Sequence, residues 1–280
     1  ALATGGAVVC SQYIGKRMPE RARLSAGQLI FIMLASSGAV MAAVLILHRF
    51  LLRAIFGQID AEVMANAEIY FFISALSYPF LGVYNAGAAL FRAIGNSKIS
   101  MYTSLVMNVI NIGGNAVLIF GFGLGVKGAA SATLFARIVS ALVMLILLMR
   151  KDNPLCITAK TCLRPQWDVI GRILKIGIPS GIENGMFQVG KLLVSSLTAT
   201  FGTAAIAANA VANSIAGFAN IPGIAIGLAM VTVIGRCIGA GEKEQAKYYS
   251  KRLMGLAYLG MAASRSEEHT SELQSLQQIS

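Results

Sequence analysis

Along this 280-residue chain, long uncharged apolar runs alternate with short polar segments rich in Lys and Arg. Gln28 to Leu47, Ile69 to Phe91 and Ile99 to Val126 carry no charge. Each reaches the roughly 20 residues that a helix needs to cross the hydrocarbon of a bilayer. Gly128 to Met149, interrupted only by Arg137, predicts a fourth span, and Ile176 to Leu197, carrying Glu183 and Lys191, a fifth. The 44 residues from Leu192 to Gly235 are uncharged, too many for one crossing. A turn is therefore expected near Thr200-Phe201-Gly202-Thr203, with a sixth span ending near Gly235. Residues 1 to 14 read as the end of a further span, and Leu253 to Ala263 as the beginning of one. Pro79 and Pro222 fall inside spans and are expected to kink them.

Composition agrees with a membrane as the solvent: 56% of residues are hydrophobic, 12% are charged, and mean hydropathy is +0.70. A soluble core does not need so much apolar material. The net charge of +11 could suggest nucleic acid, but its distribution points to the bilayer. Lys and Arg collect in alternate loops, seventeen on one side and three on the other. This is the pattern of the positive-inside rule, with Lys16, Arg17, Arg21 and Arg23 in a cytoplasmic first loop and Lys160 in a cytoplasmic loop after the fourth complete span. Cys10, Cys156, Cys162 and Cys237 then lie at or near the cytoplasmic side, where disulfides are not expected. Cys156 and Cys162 lack the nearby His that a zinc site would favour.

An internal repeat sets the expected architecture. Ile14-Gly15, Glu20 and Ala22 recur as Ile238-Gly239, Glu244 and Ala246 at an offset of 224 residues. Both copies follow an apolar span and sit in a basic loop, so they share one orientation and an even number of spans separates them. Six spans per repeat, in parallel halves related by an axis along the membrane normal, satisfies this. A complete protein would then be about twice the offset in length with twelve spans, and the present chain is expected to be a fragment.

Glu183 is the one carboxylate well inside an apolar segment. An ionisable group there costs about 2.5 to 3.5 kcal/mol even on lenient insertion scales, so its presence points to function. A lone carboxylate in a low-dielectric cavity would bind a proton, a metal cation or an organic cation in competition. A purely structural hydrogen bond between helices is the alternative.

The stretch Leu90-Phe91-Arg92-Ala93-Ile94-Gly95-Asn96-Ser97-Lys98 resembles the cytoplasmic motif after the fourth helix of the multidrug and toxic compound extrusion (MATE) transporters. Asn108, Asn111 and Asn115, followed by Phe120 to Thr133, are similar to that family's fifth helix, outer hairpin and sixth helix. Ser11 to Gly15 and Ile234 to Gly241 resemble the paired loops after its second and eighth helices. The resemblance covers residues 1 to about 263. It implies an all-α polytopic bundle of two six-helix lobes that alternate access, with this fragment running from the end of helix 2 to the start of helix 9. Residues 1–150 would belong to the N-terminal lobe, 151–175 to a cytoplasmic inter-lobe loop, and 176–263 to the start of the C-terminal lobe. Residues 264–280, beginning Ser264-Arg265-Ser266-Glu267-Glu268-His269, look like translated adapter sequence and are set aside from functional reasoning.

The function implied is export of organic cations, drugs among them, by antiport with Na⁺ or H⁺ across the plasma membrane. Glu183, within Glu183-Asn184-Gly185-Met186-Phe187-Gln188-Val189-Gly190, matches the coupling segment of the family's seventh helix, and Gln188 is carried with it. Asn111, Asn115 and Thr133 match positions of a cation site in the first lobe, with Asn115 standing where some relatives have Asp; Asn85 is a further candidate. Spacing puts Asn108, Asn111 and Asn115 on one helical face, where amides either offer oxygens to sodium or knit helices together. Lys191, eight residues from Glu183 and about 12 Å along a helix, is expected to reach for the interface, and Arg137 to pair within the first lobe. No cofactor is expected beyond the coupling ion. The expected partners are the bilayer and small organic cations, without nucleic acid, and the protein is expected to be a monomer. A lipid-linked precursor flippase of the same superfamily is the nearer alternative and would call for more intramembrane Arg and Lys. A membrane-embedded enzyme would need a nucleophile with a base, paired Asp residues or a metal cluster, none of which the spans supply.

Overall fold

The computed structural model describes residues 1–56, 61–150, 152–158, 161–162, 164–199 and 201–279. Asp60, Lys151, Lys160 and Thr200 lie outside the described residues, so the placement expected of Lys160 is not addressed by it. Nine α-helices follow one another among the described residues: α1 Leu2–Gly15, α2 Pro19–Phe56, α3 Ala61–Leu76, α4 Tyr78–Ala93, α5 Ser97–Ala116, α6 Gly125–Met149, α7 Trp167–Ala199, α8 Thr203–Ala240 and α9 Lys243–Ile279. A five-residue π-turn, Val117–Gly121, extends α5 toward the hairpin before α6.

Four of these helices hold stretches long and apolar enough to cross a membrane, and a fifth span is α3 with α4 taken together. That last span is one apolar run in the sequence but two helices in the structure, bent by 43° around Ser77. Pro79 occupies the first turn of α4, where its missing N–H cannot continue the ladder from α3. Ser77 takes over, its hydroxyl donating to the Ser74 carbonyl at 2.6 Å. The chain also turns where the uncharged stretch required it: α7 stops at Ala199, Gly202 adopts φ +95, and α8 starts at Thr203. By contrast α7, expected as a span, does not reach the same apolar standard. Glu183, Asn184, Gln188 and Lys191 lower its hydropathy, yet the backbone is one 33-residue helix, about 50 Å long. Pro179 in α7 and Pro222 in α8 are both accommodated within continuous helices.

The core lies in the first 150 residues and the start of α7, where Leu29, Leu90, Met144, Leu148 and Ile173 are fully buried. The later helices present Ile182, Met186, Phe187, Leu192, Leu193, Phe218 and Ile224 on the exterior. Apolar residues on the outside suit a lipid solvent, in which only the backbone must be satisfied internally.

The repeated motif marks the meeting of the two halves. Its copies end α1 and α8, and α2 and α9 begin 224 residues apart with Glu20 and Glu244 in their first turns. Ala22 and Ala246 are both buried. α1 and α8 pack tightly against each other, and α1 also packs on α7. A Cβ added to Gly15 would strike the Arg236 backbone, and one added to Gly239 the backbone of Gln12. Polar groups join the halves at the same level. Arg236 donates from Nη2 to the Ala93 carbonyl at 2.8 Å, and Thr232 Oγ1 donates to the Arg92 carbonyl at 3.1 Å. These two carbonyls belong to the last turn of α4, where the i+4 helical donors have run out, and the Arg92 carbonyl also accepts the Gly95 N–H at 2.8 Å.

Candidate cation-coupling site

Two groups of expected site residues fall on separate parts of the fold. On α5 and α6, Asn111 Nδ2 donates to Thr133 Oγ1 at 3.0 Å and Asn115 Nδ2 to Asn111 Oδ1 at 3.1 Å. Thr133 Oγ1 in turn donates to the Ala129 carbonyl at 3.0 Å. The four-residue spacing of the asparagines stacks them on one face of α5, and that face is held against α6. The relay leaves one group over: Asn115 Oδ1 is buried and accepts no hydrogen bond. Leaving a buried acceptor unmade costs about 1 to 3 kcal/mol, and a neutral amide oxygen is a ligand that hard cations accept. Asn108, three residues before Asn111, is exposed and outside the relay, as is Asn85 on α4.

Glu183 sits midway along α7, sixteen residues from either end. It is exposed, and no ion pair to it is found among the described residues. Its neighbour Asn184 turns back to its own helix, donating to the Ser180 carbonyl at 2.7 Å. Lys191 does not approach the carboxylate; its ammonium stands 5.1 Å from the centre of the Phe187 ring, a cation–π contact that holds the charge. Gln188, five residues on, lies about 140° around the helix from Glu183 and so faces elsewhere. α7 touches neither α5 nor α6, so Glu183 and the amide relay form two sites and not one.

Several polar residues that organise this framework were not singled out from the sequence, or lacked a partner there. Arg137 on α6 donates to Ser77 Oγ at the break between α3 and α4. This places a cation beside the carbonyl end of α3, the favourable end of its dipole. Gln28 on α2 is fully buried and serves the segment between α6 and α7, donating to the carbonyls of Thr161 and Arg164 at 2.8 Å each and accepting the Gln166 N–H at 3.0 Å. An amide at the start of an otherwise uncharged run is the one signal that marked it. In that segment burial pushes the Cys162 thiol up, opposed by a hydrogen bond with Thr161. No cluster of three His, Cys, Asp or Glu residues able to hold a metal is found among the described residues.

The MatE family model matches residues 1–117 and 179–263, and the chain belongs to this family of multidrug and toxic compound extrusion (MATE) transporters. It is 33% identical to an uncharacterized transporter, YisQ, of Bacillus subtilis over 95% of this chain and 58% of YisQ. A probable multidrug resistance protein of the same organism, YoeA, is 28% identical over 92% of this chain and 57% of its own length. The chain thus spans a little over half the length of these relatives. The fold is shared with a MATE transporter solved in an outward-facing conformation, at a TM-score of 0.86 and 22% identity over 94% of this chain and 58% of that one. It is shared equally with a MOP-superfamily transporter from Pyrococcus furiosus, at 0.84 and 21% over the same shares, described as having a binding pocket of reversed polarity that suggests a different function. The chain is therefore an all-α, multi-pass membrane protein.

Proposed function

We propose that the protein exports organic cations across the plasma membrane in exchange for an inward flow of Na⁺ or H⁺, with Glu183 as the coupling carboxylate. The observation that carries this reading is Glu183 itself: a carboxylate at the centre of a long helix with no cationic partner among the described residues. Its negative charge is available to one cation at a time. Coupling ion and organic cation would exclude each other there, and that exclusion is what turns two downhill bindings into antiport. The uncommitted Asn115 oxygen supports a second cation position in the first lobe, completed by Asn111 and Thr133. The flippase alternative asks for free intramembrane cations to hold phosphates. Arg137 is engaged by Ser77 and Lys191 by Phe187, which favours export.

The test is efflux of a fluorescent organic cation from cells expressing the protein, with sodium and proton gradients imposed separately. Glu183→Gln keeps shape and hydrogen-bonding capacity and loses the charge. Expression is expected to persist while gradient-driven export falls to background, and undiminished export by a well-expressed variant would leave Glu183 only a structural role.

A further inference from the structure

A cleft of about 150 Å³ opens between the end of α1 and the first turns of α7, away from both cation positions. It is lined by the apolar Val9 and Ile176, by the cations Lys16, Arg172 and Lys175, and by Gln12 and Tyr13. Lys16, Arg172 and Lys175 are exposed, and no carboxylate lines the cleft. Tyr13 is buried, and its phenol oxygen accepts from Arg172 Nη1 at 3.0 Å. That bond holds the guanidinium over the cleft and leaves the phenolic hydrogen free to donate. Asp168, one turn before Arg172, makes no ion pair with it among the described residues. Three like charges converging on one small cleft repel each other, so the arrangement calls for an anion.

The position names the kind of anion. Lys16 belongs to the first basic loop and Arg172 and Lys175 to the inter-lobe segment, both on the positive, cytoplasmic side. The cleft is therefore at headgroup depth and lined by both basic and apolar residues, as basic pockets between helices that hold lipid headgroups are. We propose that this cleft binds the phosphate group of an anionic phospholipid from the cytoplasmic leaflet, held by Lys16, Lys175 and Arg172 with Tyr13 positioning the last. Because α1 contributes one wall and α7 the other, the bound headgroup bridges the two halves. The proposal rests on the membrane placement of these helices and is independent of what the protein exports.

The experiment measures binding of phosphatidylglycerol, phosphatidylcholine and inorganic phosphate to the purified chain in neutral detergent micelles, by native mass spectrometry and by the shift of the thermal midpoint. Phosphatidylglycerol is expected to be retained at about one per chain and phosphatidylcholine to be washed out. Lys16→Gln with Lys175→Gln should weaken that binding about 30-fold. Lys247→Gln with Lys251→Gln, which removes the same charge from the first turns of α9, should change it less than about twofold. Tyr13→Phe should weaken it while leaving the unliganded thermal midpoint near that of the unaltered chain. Binding of inorganic phosphate as tight as that of the lipid would keep the phosphate site and assign it to a soluble anion. Equal retention of the two lipids, or equal losses in the two double variants, would overturn the proposal.

Discussion

Gly15 on α1 and Gly239 on α8 hold reciprocal positions at the crossing of the two halves. A Cβ on Gly15 would lie 2.9 Å from the Arg236 carbonyl carbon, and one on Gly239 2.8 Å from that of Gln12. Each glycine thus meets the residue three positions before the other, which is what a two-fold relation between repeat copies produces. Gly235 continues the seam, with its added Cβ 2.8 Å from that of Ser11, its own equivalent in the first copy. At Gly15 and Gly239 the atoms met are backbone, so no side chain can be moved aside.

Gly15→Leu and Gly239→Leu should therefore each destabilise the chain by at least about 1 to 3 kcal/mol, the ordinary cost of overpacking. Gly227→Ala, where added atoms meet open space, should be neutral or stabilising by up to about 1 kcal/mol. Thermal midpoints in micelles compare the three, and a Gly239→Leu chain as stable as the unaltered one would contradict the crossing.

Arg236 and Thr232 cap the last carbonyls of α4 from the opposite half. Loss of a charged hydrogen bond of this kind costs about 1.5 to 3 kcal/mol. Arg236→Ala should accordingly loosen the inner crossing and raise the labelling rate of Cys10, buried in α1 beneath it, by about tenfold or more. Maleimide kinetics on a chain lacking Cys156, Cys162 and Cys237 gives the rate.

At the amide relay, Asn111→Ala removes the acceptor of Asn115 and the donor to Thr133 together. It should destabilise by about 1 to 3 kcal/mol. Asn115→Ala removes the oxygen that has no partner and should cost less. If that oxygen serves sodium, replacing choline chloride with sodium chloride raises the thermal midpoint of the unaltered chain and leaves Asn115→Ala where it was.

Gln28 binds three backbone groups of the segment between α6 and α7. Gln28→Ala should strip protection from the Gln166 amide, whose hydrogen the glutamine oxygen accepts, and hydrogen exchange followed by mass spectrometry reads this directly. An unchanged exchange rate at Gln166 would mean the loop is held by other contacts.

The hydrophobic pattern by itself determined that this is a chain of membrane-crossing helices and where the turn at Phe201-Gly202 falls, and it set Glu183 apart as the carboxylate well inside an apolar segment. These properties are local: about 20 apolar residues mark a span wherever they pack, and the desolvation cost of a charge does not depend on its partner's identity. The motif around Gly15 and Gly239 even announced that two halves were built alike. Only the tertiary structure decided that those two glycines touch, that the apolar run around Ser77 is bent, and that Arg137 answers Ser77 across 60 positions and Arg172 answers Tyr13 across 159. It likewise separated Asn111, Asn115 and Thr133, which join in one relay, from Asn108 and Asn85, which do not. A hydrogen bond is fixed by distance and direction within a few tenths of an ångström, and those follow from how helices cross, which no periodicity along the chain encodes.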